Sequence, residues 1–213
     1  MQHKLNRRLA EELRSVAVVP VLTIERADDA VPLARALVAG GLRFLEITLR
    51  TPVSMEGLRR IARDVPEAAV GAGTVRTPEQ AEEAIAAGAR FMVSPGITPR
   101  LVEAAETWSV PYLPGSATPS EAMSLADLGY RALKFFPAEQ SGGVSALKAL
   151  AAPLQDIVFC PTGGIDLEKA PRYLALPNVV TVGGSWVAPA AAIAGGDWAT
   201  ITRLASEAAA LRH

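Results

Sequence analysis

Short apolar runs alternate with segments of helical spacing along nearly the whole chain, and that alternation is the strongest constraint on its fold. Residues 16–22 (VAVVPVL) are all apolar. Such runs belong to parallel strands covered on both faces, whereas a strand with one wet face alternates apolar and polar side chains. Residues 28–39 follow with Ala, Val and Leu at helical spacing, stopped by Gly40-Gly41. The pattern then repeats. Strands are predicted at 44–49, 69–73, 91–93, 112–113, 132–136, 157–160 and 179–182, and helices at 54–63, 78–87, 99–108, 119–128, 144–150, 167–174 and 197–211. Eight strands, each followed by a helix, share 213 residues at about 27 per unit. That is compact but sufficient for an α/β fold of the (β/α)8 TIM barrel type, with an extra N-terminal helix over residues 1–14. A doubly wound open sheet of the same units is the alternative. No linker or composition break divides the chain, so residues 1–213 read as one domain.

Charge and cysteine usage narrow the function. The chain carries 21 basic and 22 acidic residues, well mixed, with a net charge of −1. Neither a nucleic-acid nor a membrane partner is expected from that balance. A single cysteine, Cys160, excludes an intramolecular disulfide and fits a cytoplasmic location, as does the lack of a signal-peptide apolar core in the first 14 residues. Mean hydropathy is positive, which a buried subunit interface would explain. The two histidines, His3 and His213, lie near the ends of the chain. A histidine-built metal site is therefore not expected, nor is a histidine general base, and proton transfer falls to Glu, Asp, Lys or Tyr.

Residues 132–137 (ALKFFP) form an apolar strand with one lysine inside it. Alternation puts Leu133 and Phe135 on one face and Lys134 on the other. If that second face is covered, the amine is buried. Desolvation disfavours an ammonium ion, and an uncharged lysine attacks carbonyl carbon to form a Schiff base. The alternative is a lysine at a strand end that reaches water. In residues 44–50 (FLEITLR), Leu45, Ile47 and Leu49 share one face, and Glu46, Thr48 and Arg50 share the other. A carboxylate and a guanidinium inside a barrel are costly unless paired or functional. An internal ion pair of Glu46 with Lys134 is the structural alternative, and it leaves Arg50 unexplained.

The active site of a βα barrel lies at the C-terminal ends of its strands. Those ends are rich in Gly and hydroxyls, including Thr162-Gly163-Gly164 after the seventh strand and Gly183-Gly184-Ser185 after the eighth. Loops at these two places often hold phosphate through backbone N–H groups, and glycine lets the backbone come close. Ordinary turns use glycine too. Cys160 and the three tryptophans read as packing residues, Glu139 as a surface-loop carboxylate, and Glu121 as a partner of its own helix N-terminus.

Taken together, residues 18–21 (VVPV), 40–51 (GGLRFLEITLRT), 71–75 (GAGTV), 94–98 (SPGIT), 113–121 (LPGSATPSE), 133–139 (LKFFPAE), 160–165 (CPTGGI) and 183–186 (GGSW) resemble the 2-keto-3-deoxy-6-phosphogluconate and 4-hydroxy-2-oxoglutarate aldolases. The resemblance covers nearly the whole chain. It implies a class I, Schiff-base aldolase with no cofactor and no metal, acting on a phosphorylated 2-oxo acid, and a homotrimer. It puts the Schiff-base lysine at Lys134 and the catalytic glutamate at Glu46. Arg50, Thr74, Pro95, Phe136, Thr162, Gly163, Gly164, Gly184 and Ser185 become the expected substrate-binding residues. The similar phosphogalactonate aldolases tend to carry an arginine at the end of strand one and none after strand two. Here those places hold Thr23 and Arg50, which favours the gluconate group, with the galactonate epimer and a non-catalytic sugar-phosphate-binding barrel as alternatives.

Overall fold

The computed structural model describes residues 1–212; the second histidine, His213, lies outside the described residues. Helix α1 (Gln2–Leu13) precedes strand β1 (Val18–Leu22). Then follow α2 (Ala30–Ala39), β2 (Phe44–Thr48), α3 (Ser54–Asp64), β3 (Ala69–Gly73), α4 (Pro78–Ala86), β4 (Met92–Val93) and α5 (Pro99–Ala105). The chain continues with β5 (Tyr112–Leu113), β6 (Gly115–Ser116), α6 (Pro119–Asp127), β7 (Ala132–Phe135), α7 (Gly143–Ala151), β8 (Val158–Pro161) and α8 (Ala170–Leu174). It ends with β9 (Val182–Gly184), α9 (Ala190–Ala194) and α10 (Trp198–Ala209).

Three helices begin with the same signal. At α4, α5 and α6 a threonine stands before a proline, and the hydroxyls of Thr77, Thr98 and Thr118 accept from the amides of Gln80, Leu101 and Glu121. Proline suits the first helical position, where its missing N–H costs nothing, and the hydroxyl satisfies one of the orphan donors. Glu121 completes a capping box with Thr118, as its place in the sequence suggested.

All strand pairs are parallel. One sheet runs β5-β4-β3-β2-β1-β9 and the other β6-β7-β8. A doubly wound sheet reverses its order at a switch point. Here the order runs in sequence from β5 back to β1, and β1 lies between β2 and β9, so the doubly wound alternative is excluded and the sheet is curled. Only Pro114 separates β5 from β6. It has no N–H to give, and its carbonyl accepts from the Lys134 amide at 2.9 Å, which shifts pairing from one neighbour to the other. Bridges Phe159↔Val179 and Thr162↔Gly183 join the β8 segment to the last strand.

Two apolar cores result. Leu45, Ile47, Leu133, Phe135 and Phe159 pack outward under the helices. Val19, Val93, Leu113, Ala132, Cys160 and Val180 pack inside the curl, together with Leu9, Ala10 and Leu13 of α1. Helix α1 thus plugs one end of the curl. Its buried amides complete the sheet there: Asn6 donates to the carbonyls of Tyr112 and Ala132 and accepts from the amides of Arg131 and Ala132, all at 2.8–2.9 Å. Gln2 likewise donates to the Trp108 and Val110 carbonyls and accepts from the Tyr112 amide. Nothing in a charged, helix-like segment signals that role.

Several boundaries differ from the sequence reading. The last strand is Val182–Gly184 rather than 179–182, so Gly183 and Gly184 lie within it and pair with Val19 and Pro20. Helix α9 was not predicted. Its AAAIA sequence has high helix propensity but no polar face from which a period could be read. No helix among the described residues is long and apolar enough to cross a membrane.

Candidate active site

Strands β2 and β7 carry a buried carboxylate and a buried amine that meet across the interior. Because Leu45 and Ile47 face the helices, Glu46 faces inward, and Leu133 and Phe135 do the same for Lys134. Lys134 Nζ donates to Glu46 Oε1 at 2.9 Å, and both residues are 3–4% exposed. The lysine does not reach out to water. The pair is both an internal ion pair, as the structural alternative required, and an amine held against a proton acceptor. Lys134 Nζ also sits 5.5 Å from the centre of the Phe136 ring. Gly73 on β3 makes room for the carboxylate, since a Cβ there would collide with Glu46. Cys160 pairs with Lys134 in the β7–β8 register and joins the inner apolar core. Burial pushes its thiol up to about 12, so it stays protonated and serves as packing.

A cavity of about 240 Å³ lies at the strand ends, lined by Arg50, Phe136, Thr162, Gly163, Gly184 and Ser185 among others; Glu46 and Lys134 do not line it, and Phe136, whose ring Lys134 Nζ approaches, links the pair to it. Strand ends of β2, β7, β8 and β9 therefore converge on one space. Arg50 forms no ion pair among the described residues; its Nε donates to Thr74 Oγ1 at 3.2 Å. Thr74 holds a left-handed backbone conformation, φ 59°. A β-branched residue rarely tolerates that, and such a conformation costs on the order of 1–3 kcal/mol. The strain sits at the residue that orients the one cation of the cavity mouth. A guanidinium without a carboxylate is a ready receptor for an anionic group.

The glycines have local reasons as well. Gly163 and Gly164 have φ values of 108° and 75°, which only glycine adopts without strain. A Cβ at Gly183 would collide with the Thr162 hydroxyl, and one at Gly184 with the Trp186 ring. Packing thus requires glycine at 183 and 184 whatever the cavity holds.

Of the sequence-predicted residues, Glu46 and Lys134 lie behind Phe136 rather than in the cavity lining, Thr74 reaches the cavity only through Arg50, and Pro95 does not line it. Pro95 packs instead over the backbone of Gly115, where a Cβ would strike it. Glu139 is not a free surface carboxylate. It accepts from Tyr173 Oη and pairs with Lys169 at 3.1 Å. Those bonds hold its carboxyl below the usual carboxylate range, the tyrosine having the larger effect. Tyr173 comes from α8, 34 residues later, and no local pattern announces the contact. Thr23, which the sequence marked as the end of strand one but not as a binding residue, lines the cavity, and so does Ile165, which no signal singled out. Among the described residues, no three His, Cys, Asp or Glu side chains group as a metal site would require.

An amine against a carboxylate, below a cavity with a free guanidinium and a glycine turn, suits covalent chemistry on an anionic carbonyl compound. Comparison with known proteins agrees. A family model described as KDPG and KHG aldolase matches residues 9–204. A 2-dehydro-3-deoxy-phosphogluconate aldolase of Dickeya dadantii is 54% identical over 193 residues, 91% of each chain. The KHG/KDPG aldolase of Escherichia coli is 51% identical over 191 residues, 90% of each chain. A KDPG aldolase structure from Legionella pneumophila, with pyruvate captured at low pH as a covalent carbinolamine, superposes with a TM-score of 0.92 at 44% identity, covering 94% of this chain and 97% of that one. The chain belongs to the KDPG and KHG aldolase family.

Proposed function

We propose that this chain is a class I aldolase that reversibly cleaves 2-keto-3-deoxy-6-phosphogluconate to pyruvate and glyceraldehyde 3-phosphate, and 4-hydroxy-2-oxoglutarate to pyruvate and glyoxylate. The observation that carries the reading is the buried Lys134–Glu46 pair at 2.9 Å, linked through Phe136 to the cavity that holds Arg50. Lys134 gives a proton to Glu46, and its Nζ bonds to the substrate C2. Glu46 returns that proton to the C2 oxygen, then takes a second from Nζ and passes it to the same oxygen, which leaves as water, and an iminium ion forms. Glu46 then takes the C4 hydroxyl proton. The C3–C4 electrons flow into the iminium, the aldehyde departs, and an enamine stays on Lys134. Protonation at C3 and attack of water release pyruvate and the free amine. One carboxylate within hydrogen-bond reach serves each proton transfer.

Arg50 binds the substrate carboxylate, and Thr74 holds its guanidinium in place. Phe136 walls the pyruvyl group beside Lys134 Nζ. Thr162, Gly163, Gly164, Gly184 and Ser185 receive the phosphate at the glycine-rich end of the cavity. No step requires a metal or a cofactor. The two sheets and the bridges between them close into one eight-unit barrel, a single domain whose end α1 seals. The protein works in the cytoplasm as a homotrimer. The family resemblance and the exposed side chains of Met123 and Leu128 on and after α6 support that assembly.

Borohydride reduction with pyruvate tests the chemistry. It should add a reduced pyruvyl group to Lys134, read by peptide mass mapping, and Lys134→Ala should take up none. Trapping at another lysine, or turnover lost to a chelator and restored by a divalent ion, would overturn the reading.

A further inference from the structure

The Thr162–Ile165 turn has its carbonyls tied on one side. The Thr162 carbonyl accepts from the Ala138 amide at 2.8 Å, and the Gly163 carbonyl from the Glu139 amide at 3.2 Å. The Gly164 carbonyl accepts from Lys169 Nζ at 2.8 Å. In a trans peptide the carbonyl of one residue and the N–H of the next point in opposite directions. The amides of Gly163, Gly164 and Ile165 therefore point away from the 138–139 segment and Lys169, and all three residues line the cavity. Among the described residues, these three amides donate to no group. Consecutive free N–H groups form a concave anion receptor.

The first two carbonyls are held by backbone. The third depends on side chains alone. Lys169 reaches the Gly164 carbonyl from the segment before α8, and Glu139 holds the ammonium at 3.1 Å. Tyr173, almost fully buried, fixes the other carboxylate oxygen of Glu139. The Glu139 side chain also lies directly under Gly164, where an added Cβ would meet its Cγ at 2.8 Å. Three side chains from two segments thus form one chain of contacts that ends on a single carbonyl of the turn. None of the three lines the cavity, and the proton transfers proposed for the reaction use none of them.

We propose that Lys169, Glu139 and Tyr173 are positioning residues that orient the Gly164–Ile165 peptide, and that through it they set the preference for a phosphorylated substrate. The proposal rests on the reading that this turn receives phosphate. The distal carboxylate of 4-hydroxy-2-oxoglutarate lies at C5, about three bonds short of the phosphorus of the phosphorylated substrate, so its cleavage depends far less on the turn and on the three residues.

The test compares kcat and KM on 2-keto-3-deoxy-6-phosphogluconate and on 4-hydroxy-2-oxoglutarate. Lys169→Met keeps the aliphatic stem and removes the donor, at a side chain 40% exposed. Its KM for the phosphorylated substrate should rise about tenfold, the weight of one charge-assisted hydrogen bond. Its kcat on that substrate, and its kcat/KM on the other, should stay within about twofold, well inside the weight of that one bond. Lys169→Arg keeps a cationic donor and should recover most of the loss. Tyr173→Phe, which leaves both Glu139 and Lys169 present, should raise the same KM to a smaller extent and supplies the readout if Lys169→Met does not fold. Equal losses on both substrates, or no loss on either, overturn the proposal. Ser185→Asp, run beside them, puts a carboxylate into the cavity. If it abolishes the phosphate preference while Lys169→Met leaves it intact, phosphate binds there and only the positioning proposal falls. If neither variant changes the preference, the phosphate reading falls and takes the proposal with it.

Discussion

Glu46→Gln separates the two meanings of the buried pair. The substitution keeps the shape of the side chain and removes its charge. Nζ and Oε1 are 2.9 Å apart with both side chains nearly sealed from water. Two unit charges at that distance attract by roughly 6 kcal/mol at an effective dielectric of about 20, before desolvation is subtracted. Breaking such a pair by removing one partner costs on the order of 3–5 kcal/mol. A ceiling exists, because an ordinary lysine gives up its proton at pH 7 for about 5 kcal/mol. For a chain of this size each kcal/mol lowers Tm by about 2–4 °C, so a drop of roughly 6–20 °C is expected from the electrostatics alone. The chemistry adds a separate effect. Loss of the general acid–base should slow turnover by about 10²–10⁴-fold per folded molecule. The assay is thermal unfolding beside steady-state pyruvate release, with borohydride trapping on the same sample. A variant that folds below its Tm and traps some pyruvate at Lys134, yet cleaves slowly, fits the proposed mechanism. A variant that melts early and keeps near-normal turnover per folded molecule refutes it, because Glu46 would then serve only as the partner of a buried cation.

Two further outcomes follow from the packing. Asn6→Ala strips partners from four backbone groups of the strand ends, and unsatisfied buried groups cost about 1–3 kcal/mol each. A loss of at least about 3 kcal/mol in a denaturant titration is expected, with activity per folded molecule unchanged, and a loss under about 1 kcal/mol would show that water replaces the amide freely. Glu139→Gln should make stability less dependent on pH. The folded-state carboxyl is held below its usual range, so its contribution is fully present above the unfolded value near 4.3 and fades as pH falls through the folded value. The Tm gap between the two proteins should be open at pH 7 and shrink below about pH 4, within about 1 kcal/mol overall because the pair is partly exposed. A gap that widened in acid would contradict the assignment.

Much of the site is legible in the sequence. Strand alternation alone turns Glu46 and Lys134 to the face opposite their apolar neighbours, because the side-chain period of a strand is two and leaves no third choice. The Thr-Pro starts of α4, α5 and α6 are equally local, since a cap and its partner lie within one turn. Order along the chain, with apolar runs covered on both faces, was enough to require parallel strands and helices between them. The pairing of Lys134 with Glu46 could be raised from the sequence as an alternative, but no local pattern requires it. The two are 88 residues apart in sequence, and their approach depends on how the curled sheet brings β2 and β7 across one interior. Asn6 and Gln2 show the same limit. An amide in a helix of charged residues looks solvated, and only the docking of α1 against the strand ends turns it into a buried bridge. Glu139 read as a surface carboxylate because its partners arrive from α8 and the residue before it. Side-chain direction and local caps are set by neighbours a few residues away, so sequence determines them. Which distant groups meet is set by the curl of the sheet and the docking of helices on it, and only the tertiary structure decides that.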